Sequence, residues 1–117
     1  MRQFNTGATR DVVEGKLSYV KGLSPISLRR YMQYLDSSRV QVGGNTRGFD
    51  NWKKGIDEDV YLDSMFRHVM DVWLLFDGYN TNDNHGEVDL ETALCGVIFN
   101  AMGFLHEVLD VEEDNDE

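Results

Sequence analysis

The sequence is short of several things, and each shortage excludes something. There is one cysteine, Cys95, so no internal disulfide forms and no second thiolate is present to build a zinc site. Because Cys95 falls inside an apolar helical run, a buried structural thiol is the expected reading rather than a nucleophile. Basic charge is scarce: 11 Lys and Arg stand against 21 Asp and Glu, a formal net charge of −10. That balance argues against a nucleic-acid polymer gripped through a general basic surface. It leaves room for a single nucleotide, which needs only a local cluster of cations or a metal ion. No apolar run in the sequence is expected to approach the roughly 18 residues that span a bilayer. The opening Met1-Arg2-Gln3-Phe4-Asn5-Thr6 lacks the apolar stretch of a signal peptide. The expected location is a cytoplasm, with no membrane partner. A length of 117 residues fits one domain, and 41% hydrophobic residues exceeds what disordered chains carry.

What is present reads as an all-α chain with three main helices, at about 25–38, 57–76 and 89–109. Residues 1–23 form an irregular arm broken by Gly7, Gly15 and Gly22. Ser24-Pro25 supplies an N-cap and a first-turn proline, after which Leu28, Tyr31, Met32 and Leu35 recur at helical spacing. Residues 41–56 hold Gly43, Gly44, Gly48 and Gly55 and read as a long loop, a common place for function. Asp57 is the expected cap of the second helix. Its apolar stripe is Leu62, Met65, Phe66, Val69, Val72, Trp73 and Phe76. Asp89 is the expected cap of the third helix, which is apolar nearly all round. Gly96 and Gly103, seven apart inside that helix, predict close approach of another backbone, since interior glycine costs about 0.5–1 kcal/mol relative to Ala. With three helices available, the second face of helix three needs a cover. A homo-oligomer is the simplest one, and the N-terminal arm folding over is the alternative. The domain is read as 1–109, with 110–117 as an acidic disordered tail.

The candidate chemistry lies on the second helix. Ser64, Arg67, His68 and Asp71 share an arc of about 100° opposite the main apolar stripe. On a solvated helix the plain reading is an Arg67–Asp71 ion pair at i, i+4. Against it, Val60 and Leu75 lie on the same face, and helix three offers Asn100, a lone amide in an apolar run that needs a partner. The spacing therefore predicts that His68, Asp71 and Asn100 turn onto a shared cavity. Asp71, Asp89 and Glu91 are oxygen ligands suited to Mg²⁺ or Mn²⁺. Arg67 has the fork that holds a phosphate, with Arg30 and Lys54 as further positive groups. His68 is a proton carrier or ligand. Trp52 either stacks on a base or closes the core. A Ser64–His68–Asp71 triad is rejected, because three groups one turn apart on one helix lack a triad's geometry.

Three motifs then carry a resemblance. Asn51-Trp52-Lys53-Lys54-Gly55, Ser64-x-x-Arg67-His68, and Gly78 followed by Gly86-x-x-x-Leu90-x-x-Ala93 resemble a phage and prophage family named for the N-terminal domain of dATP/dGTP diphosphohydrolases. The likeness spans about residues 14–107. That family resembles the all-α, MazG-like nucleotide pyrophosphohydrolases, which bind Mg²⁺ through helix-borne carboxylates and split a nucleoside triphosphate into monophosphate and pyrophosphate. The resemblance implies Trp52, Lys54, Arg67 and His68 as motif positions, a nucleotide as partner and a host cytoplasm as setting. Many relatives open the last helix with His-Leu-x-His, where this chain has Asp89-Leu90-Glu91-Thr92. The expectations are thus a pyrophosphohydrolase-like domain with His68 and Asp71 at its centre and Trp52, Lys54, Arg67, Arg30 and Asn100 on the substrate. The alternatives are a phage protein that sequesters a nucleotide without cleaving it, as in counter-defence, and a structural oligomerisation module with Gly96 and Gly103 as its seam.

Overall fold

The computed structural model describes residues 2–3, 5–10, 15–41 and 43–116. It is all-α in class: the three expected helices are present and dominate the fold. Two short additions precede them, a two-stranded pairing of β1 (Arg2–Gln3) with β2 (Thr9–Arg10) and a single turn, α1 (Tyr19–Gly22). Helix α2 (Pro25–Ser38) starts as its sequence dictates. Ser24 Oγ accepts from the Ser27 amide, and Pro25 takes a first-turn position where no amide donor is needed.

Helix α3 (Glu58–Phe76) begins after Asp57, but the Asp57 side chain makes no capping bond, contrary to expectation. Its end is firmer. The Tyr79 amide donates to Leu74 O and the Gly78 amide to Leu75 O, and Gly78 sits at φ 92°, the left-handed position that closes a Schellman turn. A tight antiparallel pair, β3 (Asn82–Asp83) and β4 (Gly86–Glu87), then reverses the chain. Helix α4 (Leu90–Asp116) follows, with Asp89 Oδ1 accepting from the Thr92 amide at 2.7 Å. It continues to Asp116, past the Leu109 limit read from apolar periodicity, because no glycine or proline interrupts 110–116. The side chains of residues 112–117 lie outside the described residues. Leu90–Val111 is long and apolar enough to cross a membrane by length and composition, with mean hydropathy 1.5. A helix that admits scattered polar residues passes where an uninterrupted run does not.

The core is an antiparallel hairpin of α3 and α4. Its two tightest points are glycines. A β-carbon added at Gly103 would meet the Tyr61 ring at 2.4 Å, and one added at Gly96 would meet His68 Nδ1 at 2.4 Å. The close approach predicted from these glycines is therefore real, but the approaching groups are side chains of the same chain. Tyr61 and His68, also seven residues apart, fill both gaps, so neither glycine is free to form a seam with another molecule. Around them Ala93, Cys95, Val88 and Asn100 are buried. Helix α2 lies across α4, with Arg30 Nε donating to Glu91 Oε1 at 2.8 Å. The described part of the N-terminal arm does not fold over α4. Leu17, Tyr19, Val20 and Leu23 are all exposed, Leu17 to 79%.

Candidate functional site

The 41–56 segment is less irregular than its glycines imply. Val40 and Thr46 form an antiparallel bridge, the Arg47 amide donates to Arg39 O at 2.8 Å, and the Gln41 amide donates to Asn45 O at 2.7 Å. The result is a small hairpin turning through Gly43 and Gly44, at φ 103° and 94°. Its two arginines face one another across the bridge. Arg39 Nε donates to Arg47 O at 2.8 Å, and an Arg47 terminal nitrogen donates to Ser38 O at 3.2 Å. The Arg39 guanidinium lies 4.1 Å from the centre of the Phe49 ring and pairs with Asp36 at 3.1 Å. Among the described residues, nothing accepts from the other N–H groups of the two forks.

A 3₁₀ turn (Asn51–Lys54) then carries Trp52 back onto the hairpin core. The indole meets His106 at 4.9 Å between ring centres with the planes at 90°, and Lys53 Nζ lies 5.6 Å over it. Trp52 is half-buried, so it closes the core with most of its surface and shows the remainder to a cleft.

That cleft, of about 220 Å³, lies between α2, the 39–49 hairpin, the 3₁₀ turn and the α3–α4 core. Arg39, Arg47 and His68 are its ionisable bases. Tyr34, Phe49, Trp52 and Phe99 are its aromatic wall, and Asn51, Asn100, Ser38 and Ser64 bring amides and hydroxyls. Among the described residues no carboxylate lines it, in a chain with ten more acids than bases. It is below the roughly 300–1,000 Å³ of drug-sized sites, so only a small ligand, or the aromatic end of a larger one, fits inside.

His68 is half-buried, and burial pushes its imidazole below the ordinary histidine pKa. The Asp71 carboxylate opposes that shift and Arg67 reinforces it. The ring is thus neutral at pH 7. Its Nδ1 is buried against Gly96 with no hydrogen-bond partner among the described residues. Asn100, 4% exposed, donates from Nδ2 to Gly96 O at 2.8 Å. This i−4 bond consumes one donor and leaves its amide oxygen for the cleft. Burial raises the pKa of the Tyr34 hydroxyl on the opposite wall, so that group stays protonated.

The expected site residues separate into two sets. His68, Asn100 and Trp52 line one cleft, without the Asp71 expected beside the first two. The rest do not join them. Asp71 Oδ1 accepts from Thr81 Oγ1 at 2.8 Å, which fastens the 78–88 turn to α3. Asp89 caps α4, and its carboxyl pKa is lowered chiefly by the Thr92 backbone bond. Glu91 is held by Arg30, whose other branch donates to Thr92 Oγ1 at 3.4 Å. Arg67 turns back to Ser64 Oγ at 2.7 Å, and Lys54 is exposed outside the cleft lining. Among the described residues, no three His, Cys, Asp or Glu side chains are grouped to share an ion. Comparison with protein-family models, with curated proteins and with solved structures gives no match.

Arg39, Arg47 and Phe49 are among the cleft residues that the linear reading missed. Their signal was present: Gly43-Gly44 between Val40 and Thr46 is a hairpin pattern, and a hairpin there sets Arg39 opposite Arg47. Cys95 is buried as expected. Burial, the largest cause, raises its thiol pKa, which keeps it protonated and inert.

Proposed function

We propose that the cleft binds a nucleotide or nucleotide-derived small molecule and that this chain sequesters it rather than cleaving it. The observation that carries the reading is the lining: two arginine forks and four aromatic rings around a hollow that no carboxylate of the described residues lines, in a strongly acidic chain. A phosphate is recognised by guanidinium forks. A base is recognised by ring faces and amide edges, and Asn51 and Asn100 supply the edges. Arg39, stacked on Phe49, presents a flat cationic surface on which a base can lie. The cleft volume fits the base end of a nucleotide, with phosphates at the mouth beside exposed Arg47.

A second reading is favoured by one feature. Neutral His68 beside Ser64 in the cleft has the protonation state of a general base, and Trp52 and His68 are both motif positions of the diphosphohydrolase resemblance. In that reading the chain is a pyrophosphohydrolase-like domain, and Mg²⁺ or Mn²⁺ supplies charge neutralisation and an activated water. The carboxylates expected to hold the metal do not fit it as arranged: Asp71, Asp89 and Glu91 are each committed to a different structural partner.

The test measures binding and turnover together. Each dNTP and dNMP is titrated into the protein by calorimetry with Mg²⁺, Mn²⁺ or chelator, and the nucleotide is then recovered and resolved by ion exchange. Sequestration is expected to give saturable, metal-independent binding with intact nucleotide. Arg39→Ala should weaken it about 10- to 100-fold, since a charge-assisted hydrogen bond contributes about 1.5–3 kcal/mol. Monophosphate and pyrophosphate appearing only with metal, and lost in Asp71→Ala, establish the hydrolase instead. Absence of binding under every condition rejects both.

A further inference from the structure

We infer that His68 and Asn100 form a donor–acceptor pair that reads the Watson–Crick edge of a nucleobase. The inference rests on the nucleotide reading of the cleft and names which edge of the ligand enters it. Both side chains are anchored on one residue of α4. Asn100 Nδ2 donates to Gly96 O at 2.8 Å, and the His68 ring packs on Gly96 through Nδ1, where a β-carbon would stand. The two groups are therefore neighbours, and both line the cleft.

These anchors fix what each group offers. A carbonyl oxygen accepts only from a donor, so Gly96 O holds the nitrogen side of the Asn100 amide and Oδ1 is turned away from it. Asn100 is 4% exposed. Among the described residues nothing donates to Oδ1, yet the enclosed polar atoms without a partner are the Tyr61 hydroxyl and His68 Nδ1. Oδ1 is thus an open acceptor. For His68 the closed atom is Nδ1. A hydrogen there would be a buried donor without an acceptor, so the one N–H of the neutral ring is assigned to Nε2, an open donor.

A donor beside an acceptor matches a feature that every base carries. On the Watson–Crick edge of adenine, N1 accepts and the 6-amino group donates. Cytosine offers its ring N3 and 4-amino group, guanine its O6 and N1–H, and thymine its O4 and N3–H. The pair selects an edge rather than one base, and it selects an unpaired base, because a duplex occupies that edge. It also sets the direction of the ligand. A phosphate oxygen at this wall would face Oδ1, acceptor against acceptor, whereas Arg39 and Arg47 on the hairpin offer it guanidinium forks.

Calorimetric titration without metal tests the pair. The probes are dATP, its 6-desamino analogue, which lacks the donor for Asn100, and 1-deaza-dATP, which lacks the acceptor for His68. The wild type is expected to bind each analogue at least about tenfold more weakly than dATP, the loss of one hydrogen bond in a desolvated site. Asn100→Leu should erase the penalty for the 6-desamino analogue and keep that for 1-deaza-dATP, and His68→Phe should do the reverse. Wild-type affinities for all three within about twofold of one another overturn the inference and leave the nucleotide reading standing. So does a failure of dATP where another dNTP binds, or a penalty that neither variant changes. If no nucleotide binds, the nucleotide reading fails and the inference falls with it. The wild-type comparison decides even where a variant does not fold.

Discussion

Tyr61 on Gly103 and His68 on Gly96 are the same packing device used twice, one helical repeat apart. In each, an aromatic ring of α3 lies where α4 has no β-carbon, and in each one polar atom of the ring is buried without a partner among the described residues. The contacts differ in their surroundings. Tyr61 is 1% exposed and serves only to lock the hairpin, whereas His68 is half-buried and forms part of the cleft wall. One geometry thus fixes the spacing of the helices at one end and presents a neutral imidazole at the other. The lesson is that a helix-interior glycine reports a close neighbour without saying whether that neighbour is structural or functional.

Adding a methyl group at each glycine tests the pair most severely. Gly103→Ala and Gly96→Ala both force a ring to move, at a cost of roughly 1–3 kcal/mol. That lowers the melting midpoint by about 4–8 °C per kcal/mol for a domain near this size. Scanning calorimetry should show similar losses for the two. Nucleotide affinity should separate them: Gly96→Ala displaces a cleft residue and should weaken binding at least tenfold, while folded Gly103→Ala should bind as wild type. Equal binding losses in both variants would remove the distinction.

The unpartnered hydroxyl of Tyr61 gives a smaller effect of opposite sign. Tyr61→Phe removes a buried polar atom that lacks a hydrogen bond and keeps the ring, so stability should rise by about 1 kcal/mol in urea melts. A loss would mean that the hydroxyl has a partner. Asp89→Ala removes the α4 cap and should cost about 1 kcal/mol while leaving nucleotide affinity unchanged. Lost affinity there would return Asp89 to the ligand site.

The least pronounced effect is a dependence on pH. Burial lowers the His68 pKa below its unfolded value of about 6.5, so the unfolded chain binds the proton more readily. The contribution from neutral His68 is fully present above about pH 6.5 and is lost as pH falls through the lowered folded value. Stability should therefore hold between about pH 7 and 8 and decline below about 6.5. His68→Gln should flatten that decline between about pH 5 and 6.5, ahead of general carboxylate titration. An unchanged slope in the variant would assign the titration to another group.

Helix periodicity made most of the fold legible. Leu28 to Leu35, Leu62 to Phe76 and the apolar run after Leu90 repeat at a spacing that only a helix satisfies, and Ser24-Pro25 and Asp89 mark their starts. The end of α4 was missed because the apolar repeat read for it stops at Leu109, whereas the helical backbone continues to Asp116. The site was half legible. Asn100 signalled itself as an amide among apolar neighbours, and His68 as a polar group on a mixed face. Asp71, Glu91 and Asp89 misled because a carboxylate's residue type does not reveal its partner: Thr81, Arg30 and the Thr92 amide lie elsewhere in the fold or in cap geometry. Arg47 was hidden inside the 41–56 segment read as loop and Arg39 lay just before it, and the hairpin pattern around Gly43-Gly44 went unused.

The most direct test of the central claim is a nitrogen-15 and carbon-13 chemical-shift map of the full chain during titration with dATP. Saturable shifts are expected at the side chains of His68, Asn100, Arg39 and the Trp52 indole, with Asp71, Asp89 and Glu91 undisturbed. Shifts centred on those three carboxylates, with the cleft side chains silent, would contradict it.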